Sequence, residues 1–559
     1  MPEISSFERQ VRRIGDELAR LSAGLSPSIF DSRWWSQTVI NLAMNDPAFK
    51  AQLFRFIDVL PSVRDDAQVV KLADEYFGEM SGNVFGLQWG LKALSAVSLG
   101  ATLSGKSIRY QVEQMARTFI AGPSAGDALP VLARLWKDGR ACSVDLLGEA
   151  TVSERESDRY RDQCLAALRE LGDAAALWPA VPLLERDQLG PLPRVQLSLK
   201  ISALSSQLDP IDPEGSYRSV AARLRPLLDL ACALPASLIF DMEQADTKDL
   251  ILFIFQRLLS ESPYRSYPHA GLALQAYHRT TQDDIESLQQ WVRQRSAPIT
   301  IRLVKGAYWD SDTIRYRQRG WPVPLFEQKT ETDAHYEKLS RTLLQHAGEI
   351  RPAFGTHNLR SLAHVEAVAE SFHLLPEMWE YQMIFGMAEP FQAAMTRLGR
   401  RLRIYTPVGE LLPGMAYLVR RLLENTSNES FLRKEYVESQ PLGSLLAAPP
   451  ATPSSNGQVG GPSVQPPPEL ASPRYDSPLF TNEPQADFSQ ASVRDAMTHA
   501  IHSVAGQLGR ECMIHPPAGV GLSGEELRSY DPGRPIQVVG RMRTYASGEV
   551  PLVVLAAQQ

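Results

Sequence analysis

The sequence predicts an α/β protein built on a (β/α)8 barrel, and three observations carry that reading. Eight short β-prone runs lie between Cys142 and Thr406: CSVDLL (142–147), VQLSL (195–199), SLIF (237–240), LALQA (272–276), TIRLV (300–304), PAFG (352–355), EYQMI (380–384) and RLRIY (401–405). Roughly 15 to 50 residues separate successive runs, room for one crossover helix each, which is the pattern of parallel βα units. Polar residues then stand at or just beyond the C-terminal ends of the runs: Glu149, Lys200, Asp241, Gln275, Arg302 with Lys305, Thr356 with His357, Gln382 and Tyr405. In a parallel barrel those ends form one rim, and active sites are built on that rim. A lone charge after a strand is usually a solvated loop residue, but eight ends of the same character favour the functional reading.

Residues 1–125 read as a helical arm, with apolar positions at Phe7, Val11, Ile14, Leu18 and Leu21, then at Phe49, Leu53, Phe56, Ile57 and Leu60. No chemistry-bearing cluster appears there, so packing is its expected role. Residues 126–435 hold the barrel. After the last run, a helix expected from near Leu412 places Tyr417, Arg420, Arg421 and Glu424 at i, i+3, i+4 and i+7, on one face. That face is either a salt-bridged solvent face or a binding wall, since two adjacent guanidinium groups beside an aromatic ring suit a small carboxylate. Residues 436–478 form a linker, with nine prolines between positions 449 and 478. Residues 479–559 read as a mostly irregular tail, too short and too broken by Pro and Gly for an independent fold.

Composition removes several classes. The 559 residues are 44% apolar and 22% charged, which suits a large packed core. With 57 basic and 64 acidic side chains the formal charge is -7, so no nucleic-acid partner is expected. Cys142, Cys164, Cys232 and Cys512 show no paired spacing, which suggests neither disulfides nor a metal site and fits a reducing cytoplasm. The start mixes acids and bases without an apolar core, so no signal peptide is expected. Val84–Gly105 is long enough to span a bilayer but carries Gln88 and Lys92 among small residues, so a buried or surface helix is preferred. Peripheral membrane contact is left open.

The blocks LSLKISAL (197–204), DMEQAD (241–246), LQAY (274–277), RLVKGAYWD (302–310), GTHN (355–358) and YLVRRLLENTSNESFLR (417–433) closely resemble proline dehydrogenase, in particular the proline dehydrogenase region of bacterial proline utilization A proteins. The resemblance covers roughly residues 1–435. It implies a distorted TIM barrel that binds FAD without a Rossmann fold, oxidises L-proline to 1-pyrroline-5-carboxylate and passes electrons to a membrane quinone. A location in the cytoplasm or on the inner face of the membrane follows from it. Residue by residue, it implies that Arg420, Arg421 and Lys200 hold the proline carboxylate. Tyr405 and Tyr417 wall the ring, Asp241 joins the catalytic group, and Glu149 pairs with Arg420 as a gate. Arg302 lies near the flavin N5 and Gln275 reaches the isoalloxazine. Met242, Val304, Lys305, Gly306, Ala307, Trp309, Thr356, His357, Gln382 and Glu424 cradle the rest of FAD. His357 keeps a structural or solvated alternative, and Trp309 a core-packing one. No metal is implied.

The chain departs from the family at Ser205, where a histidine usually follows the SAL triplet. LFTNEPQADFSQASVRDAMTHAI and SYDPGRPIQVVGRM resemble the opening of the pyrroline-5-carboxylate dehydrogenase domain of bifunctional members, of which only about 80 residues are present, too few for that activity. The expectation is a truncated domain without its nucleophilic cysteine, and Cys512 comes too early to serve. The arm also lacks the basic DNA-binding module of trifunctional members. Gly519, Gly521 and Gly524 match GxGxxG but follow His515, Pro516 and Pro517 rather than a strand, with Asp531-Pro532-Gly533 breaking any helix after them, so no dinucleotide site is expected. The competing function is a flavin- or proline-binding regulator without turnover.

Overall fold

The computed structural model describes residues 5–22, 47–77, 106–148 (except 107, 111, 114 and 115), 151–410, 414, 442–450, 482, 485–512 and 520–558. Its centre is a closed barrel of eight parallel strands: β1 (Arg140–Leu146), β2 (Val195–Leu199), β3 (Ala236–Phe240), β4 (Ala270–Gln275), β5 (Thr300–Val304), β6 (Arg351–Gly355), β7 (Glu380–Ile384) and β8 (Leu402–Val408). The ring closes where β8 returns to β1, with Arg140 opposite Leu402 and Leu146 opposite Val408. Strands β2, β5 and β7 occupy the residues of the apolar runs, and the others differ by one to three residues at an end. β8 runs longest beyond its run because Pro407 and Val408 still pair with Asp145 and Leu146.

Helices cross between the strands for legible reasons. The arm contributes α1 (Ser6–Ser22), α2 (Pro47–Val59) and α3 (Asp66–Phe77), and α4 (Ala125–Lys137) leads into β1. The crossovers are α5 (Glu154–Ala176), α6 (Pro213–Ala233), α7 (Lys248–Leu259), α8 (Thr281–Arg295), α9 (Trp309–Gln318) with α10 (Lys329–Gln345), α11 (Leu359–Ser371) and α12 (Glu389–Arg397). α5 starts at an N-cap Ser153 that accepts from Glu156 N–H, and it buries Ser157, Tyr160, Cys164, Ala167, Leu168, Leu171 and Ala175 along one stripe. Asp212 caps α6 ahead of Pro213, whose missing N–H costs nothing at the first turn.

α11 is unlike the others, because every residue from Leu359 to Ala369 is buried. Two remote segments cover its outer side. α1 lays Val11, Ile14 and Leu18 into the core, Phe7 meets the His364 ring edge-on at 5.4 Å, and Gln10 and Arg13 hydrogen-bond Glu370. α13 (Leu442–Leu445) and Leu446 approach from the other end of the chain, so closely that a β-carbon on Gly15 would lie 2.3 Å from a Leu446 methyl. Arg360 joins all of these: its guanidinium donates to Glu8 (2.5 and 2.9 Å), to Glu337 (2.8 and 3.0 Å) and to the Leu446 carbonyl (3.1 Å).

Residues 486–559 form a second compact unit. It contains α14 (Ala491–Ala505), a hairpin of β9 (Glu526–Asp531) and β10 (Arg534–Arg543), and α15 (Val550–Ala557). The hairpin differs from the irregular tail the sequence suggests. Asp531-Pro532-Gly533 does not break a helix but turns two strands, with Gly533 N–H donating to Asp531 Oδ1 at 2.8 Å. Neither α14 nor α15 buries a residue.

No helix among the described residues is long and apolar enough to cross a membrane, and no cluster among them could hold a metal ion. Val84–Gly105 lies outside the described residues.

Candidate active site

In a fully buried strand a polar side chain of the inward parity must find its partners inside the barrel. Several strands of this barrel carry such residues toward the C-terminal rim, and Arg302 on β5 gathers them. Its Nε donates to Gln382 Oε1 on β7 at 2.6 Å and its Nη2 to Ser143 Oγ on β1 at 3.0 Å. Its Nη1 donates to Ser198 Oγ on β2 at 2.9 Å and to Asp241 Oδ1, just past β3, at 2.7 Å. Tyr405 on β8 closes the group: its hydroxyl donates to Asp241 Oδ2 at 2.8 Å, and its ring lies 5.1 Å from the guanidinium carbon. Ser198 Oγ also donates to Asp241 Oδ1 at 2.8 Å. Arg302 is 4% exposed, so this fork is fixed in direction by five strands.

A second charged pair lies beside the first. Lys200, at the end of β2, donates from Nζ to Asp145 Oδ1 on β1, and both are buried. Burial alone would lower the Lys200 ammonium, but Asp145 and then Asp241 more than offset it and hold its pKa above the usual lysine range. Burial pushes the Asp145 carboxyl up, against the pull of Lys200.

The remaining predicted residues that the structure describes follow or end β3 to β6 on the same rim. Gln275 donates from Nε2 to the carbonyls of Glu243 (3.0 Å) and Met242 (3.4 Å), while its Oε1 is buried and has no hydrogen-bond partner among the described residues. Gly306 has φ +131°, and a β-carbon there would sit 1.4 Å from the Tyr277 ring, so only glycine fits. Lys305 pairs with Asp333 at 2.5 Å; burial lowers its pKa and Asp333 opposes this. Val304 ends β5 and Ala307 is exposed in the following loop. Trp309 is 36% exposed and donates to the Phe326 carbonyl at 2.7 Å. Thr356 is buried, its N–H donating to the Gln382 carbonyl. His357 Nε2 accepts from Ile384 N–H at 2.9 Å, which leaves the ring proton on Nδ1. Glu149, Tyr417, Arg420, Arg421 and Glu424 lie outside the described residues.

Sequence reasoning passed over Ser143, Asp145, Ser198 and Asp333. The first three had a signal: in CSVDLL and VQLSL the polar residues recur at every second position of otherwise apolar runs, the mark of an inward polar row. Asp333 had none, because its partner lies 28 residues away across a loop and two helices.

The opposite pole of the barrel is held by other ion pairs, Arg403 with Glu380 at 2.9 Å and Arg351 with Asp187 at 2.6 Å. In such a barrel that end serves stability rather than chemistry.

Comparisons with known proteins agree with this fold. The sequence profile described as proline dehydrogenase matches residues 128–434, and that of the proline utilization A N-terminal domain matches residues 8–119. The bifunctional protein PutA of Klebsiella aerogenes is 28% identical over 474 residues, which is 82% of this chain and 34% of that protein. Proline dehydrogenase 1 of Bacillus subtilis is 25% identical over 338 residues, 60% of this chain and 96% of that one. Among solved structures, proline utilization A from Bdellovibrio bacteriovorus, inactivated by N-propargylglycine, superposes with a TM-score of 0.78 at 34% identity, covering 98% of this chain and 53% of that one. The chain thus spans about a third of the length of the first of these relatives and about half of the last. The barrel, its polar rim and the profile over residues 128–434 together make this chain a member of the proline dehydrogenase family.

Proposed function

We propose that this chain is an FAD-dependent proline dehydrogenase that oxidises L-proline to 1-pyrroline-5-carboxylate and passes the electrons to a membrane quinone. The observation that carries this reading is the Arg302–Asp241–Tyr405 cluster beside Lys200, at the functional rim of a closed barrel. The described residues suit a flavin: Gln275 Oε1 is a buried acceptor with no donor among them, and Arg302 is a fixed cation at the same rim. Gln275, Met242, Val304, the Lys305–Gly306–Ala307 turn, Trp309, Thr356, His357, Gln382 and Glu424 would hold FAD. Bound there, FAD would supply the acceptor for a hydride from the proline carbon next to nitrogen.

The chain's own residues then bind and orient. Lys200, Arg420 and Arg421 would grip the proline carboxylate, each charge-assisted hydrogen bond contributing roughly 1.5 to 3 kcal/mol. Tyr405 and Tyr417 would wall the ring, Glu149 would pair with Arg420 over it, and Asp241 would hold Tyr405 and Arg302 in place. A cation held rigidly beside the acceptor stabilises negative charge as it develops there, and Arg302 suits this role. Work at the inner face of the cytoplasmic membrane, in peripheral contact, accounts for quinone as acceptor. Residues 479–559 we read as the opening portion of an aldehyde dehydrogenase-like domain.

The test is anaerobic addition of L-proline to the purified yellow protein. Bleaching of the flavin band with formation of 1-pyrroline-5-carboxylate is expected. A yellow protein that does not bleach would refute the reading and leave a flavin- or proline-binding regulator.

A further inference from the structure

Lys200 is assigned to the substrate carboxylate, but the acid buried against it has no task yet. Asp145 lies on β1 two residues beyond Ser143, so both side chains face the barrel interior. It is fully buried, and Oδ1 accepts from Lys200 Nζ. An ammonium carries three donors. Lys200 gives one to Asp145, and no other acceptor for Nζ is present among the described residues, which leaves two for a ligand. The Lys200 backbone N–H is held separately by the Tyr160 hydroxyl at 3.3 Å.

We propose that Asp145 is a positioning residue for substrate: it keeps the Lys200 ammonium charged and fixed, so that its two remaining donors meet the carboxylate of the incoming amino acid. This rests on the reading of Lys200 given above. A buried lysine without its counterion gives up its proton or swings toward water, and either loses the carboxylate. The groups facing Lys200 come from every wall around it: Asp145 on β1, Asp241 and Glu243 after β3, Tyr160 and Cys164 on α5, and Tyr308 after β5. Of the charged ones, Asp145 alone hydrogen-bonds the ammonium among the described residues. Asp241 is already engaged by Arg302, Ser198 and Tyr405, and Glu243 by Ser202.

The experiment compares Asp145→Asn, Asp145→Glu and Lys200→Met with the flavin-loaded parent, recording flavin content, kcat and KM for L-proline across pH. In Asp145→Asn, KM should rise by about tenfold or more at unchanged flavin content. The alkaline limb of kcat/KM should move at least about one pH unit lower, because a lysine that has lost its counterion deprotonates earlier. Asp145→Glu keeps the charge, so its limb should stay in place while KM rises by about threefold from the displaced carboxylate. A merely structural role would not move the limb. Parent values of KM and limb in Asp145→Asn, with KM raised in Lys200→Met, would overturn the role of Asp145 alone. An unaltered KM in Lys200→Met would overturn the carboxylate reading and this inference with it. Should the Asn variant not fold, a parent KM in Asp145→Glu overturns the proposal, and a raised KM at unchanged kcat and flavin content supports it.

Discussion

Replacing Arg360 by methionine should loosen the arm from the barrel, and the size of the effect can be worked out. The guanidinium is 6% exposed and bonds two carboxylates, Glu337 at 12% and Glu8 at 24% exposure. Burial alone would raise the Glu337 carboxyl, yet the His364 ring and the Arg360 guanidinium bring it down to about 2 from an ordinary 4.5. At ~1.36 kcal/mol per unit, that depression corresponds to about 3 kcal/mol, which Arg360 shares with His364. Removing one partner of a buried pair costs ~3–5 kcal/mol, and the partial exposure of Glu8 favours the lower end. Because the folded pKa is depressed, this contribution is fully present above about pH 4.5 and fades as pH falls through about 2. Urea unfolding of Arg360→Met should therefore show a loss of about 3 kcal/mol near pH 7 and about 2 kcal/mol near pH 3.5, against ~5–15 for a typical domain. Limited proteolysis should release residues up to about Ser22 first. A loss below ~0.5 kcal/mol near neutrality, or one that does not shrink in acid, would refute the reasoning.

Three further outcomes follow from named groups. Burial lowers His278 to about 3 and His269 to about 4, so both stay neutral in the fold while the unfolded chain takes up their protons below about 6.5. Stability should thus fall by about 2 kcal/mol per histidine between roughly pH 6.5 and 5, and His278→Gln should flatten that slope in urea titrations. A Gly306→Ala chain should lose soluble expression or flavin, read from the absorbance of the purified protein, since the new β-carbon overlaps the Tyr277 ring. Burial pushes the Cys142 and Cys164 thiols up to about 12, so a thiol reagent should label the exposed Cys232 and Cys512 in the native protein and the buried pair only after denaturation.

The barrel was legible because its strands are short, apolar and bounded by rim residues whose chemistry contrasts with the runs. VQLSL, TIRLV and EYQMI coincide with β2, β5 and β7 for that reason. Arg302, Asp241, Tyr405 and Gln382 were readable as rim positions, but their convergence on one guanidinium is a matter of parity and register across four strands, which a linear pattern does not express. Asp145 was hidden because a single carboxylate inside an apolar run looks like an interruption until its lysine, 55 residues away, is seen beside it. The hairpin at Asp531–Gly533 was not legible because the same residues that end a helix also join two strands.

The covering of α11 by α1 has a consequence for the order in which the protein can be made. Glu8 and Arg360 stand 352 residues apart in sequence. At ~5–20 residues per second, the ribosome delivers α11 about 20 to 70 s after α1. Through that interval Val11, Ile14 and Leu18, fully or almost fully buried in the finished protein, lack the cover that α11 gives them. A helix made early is therefore docked late, and its apolar stripe stays without its α11 cover through the synthesis of the barrel.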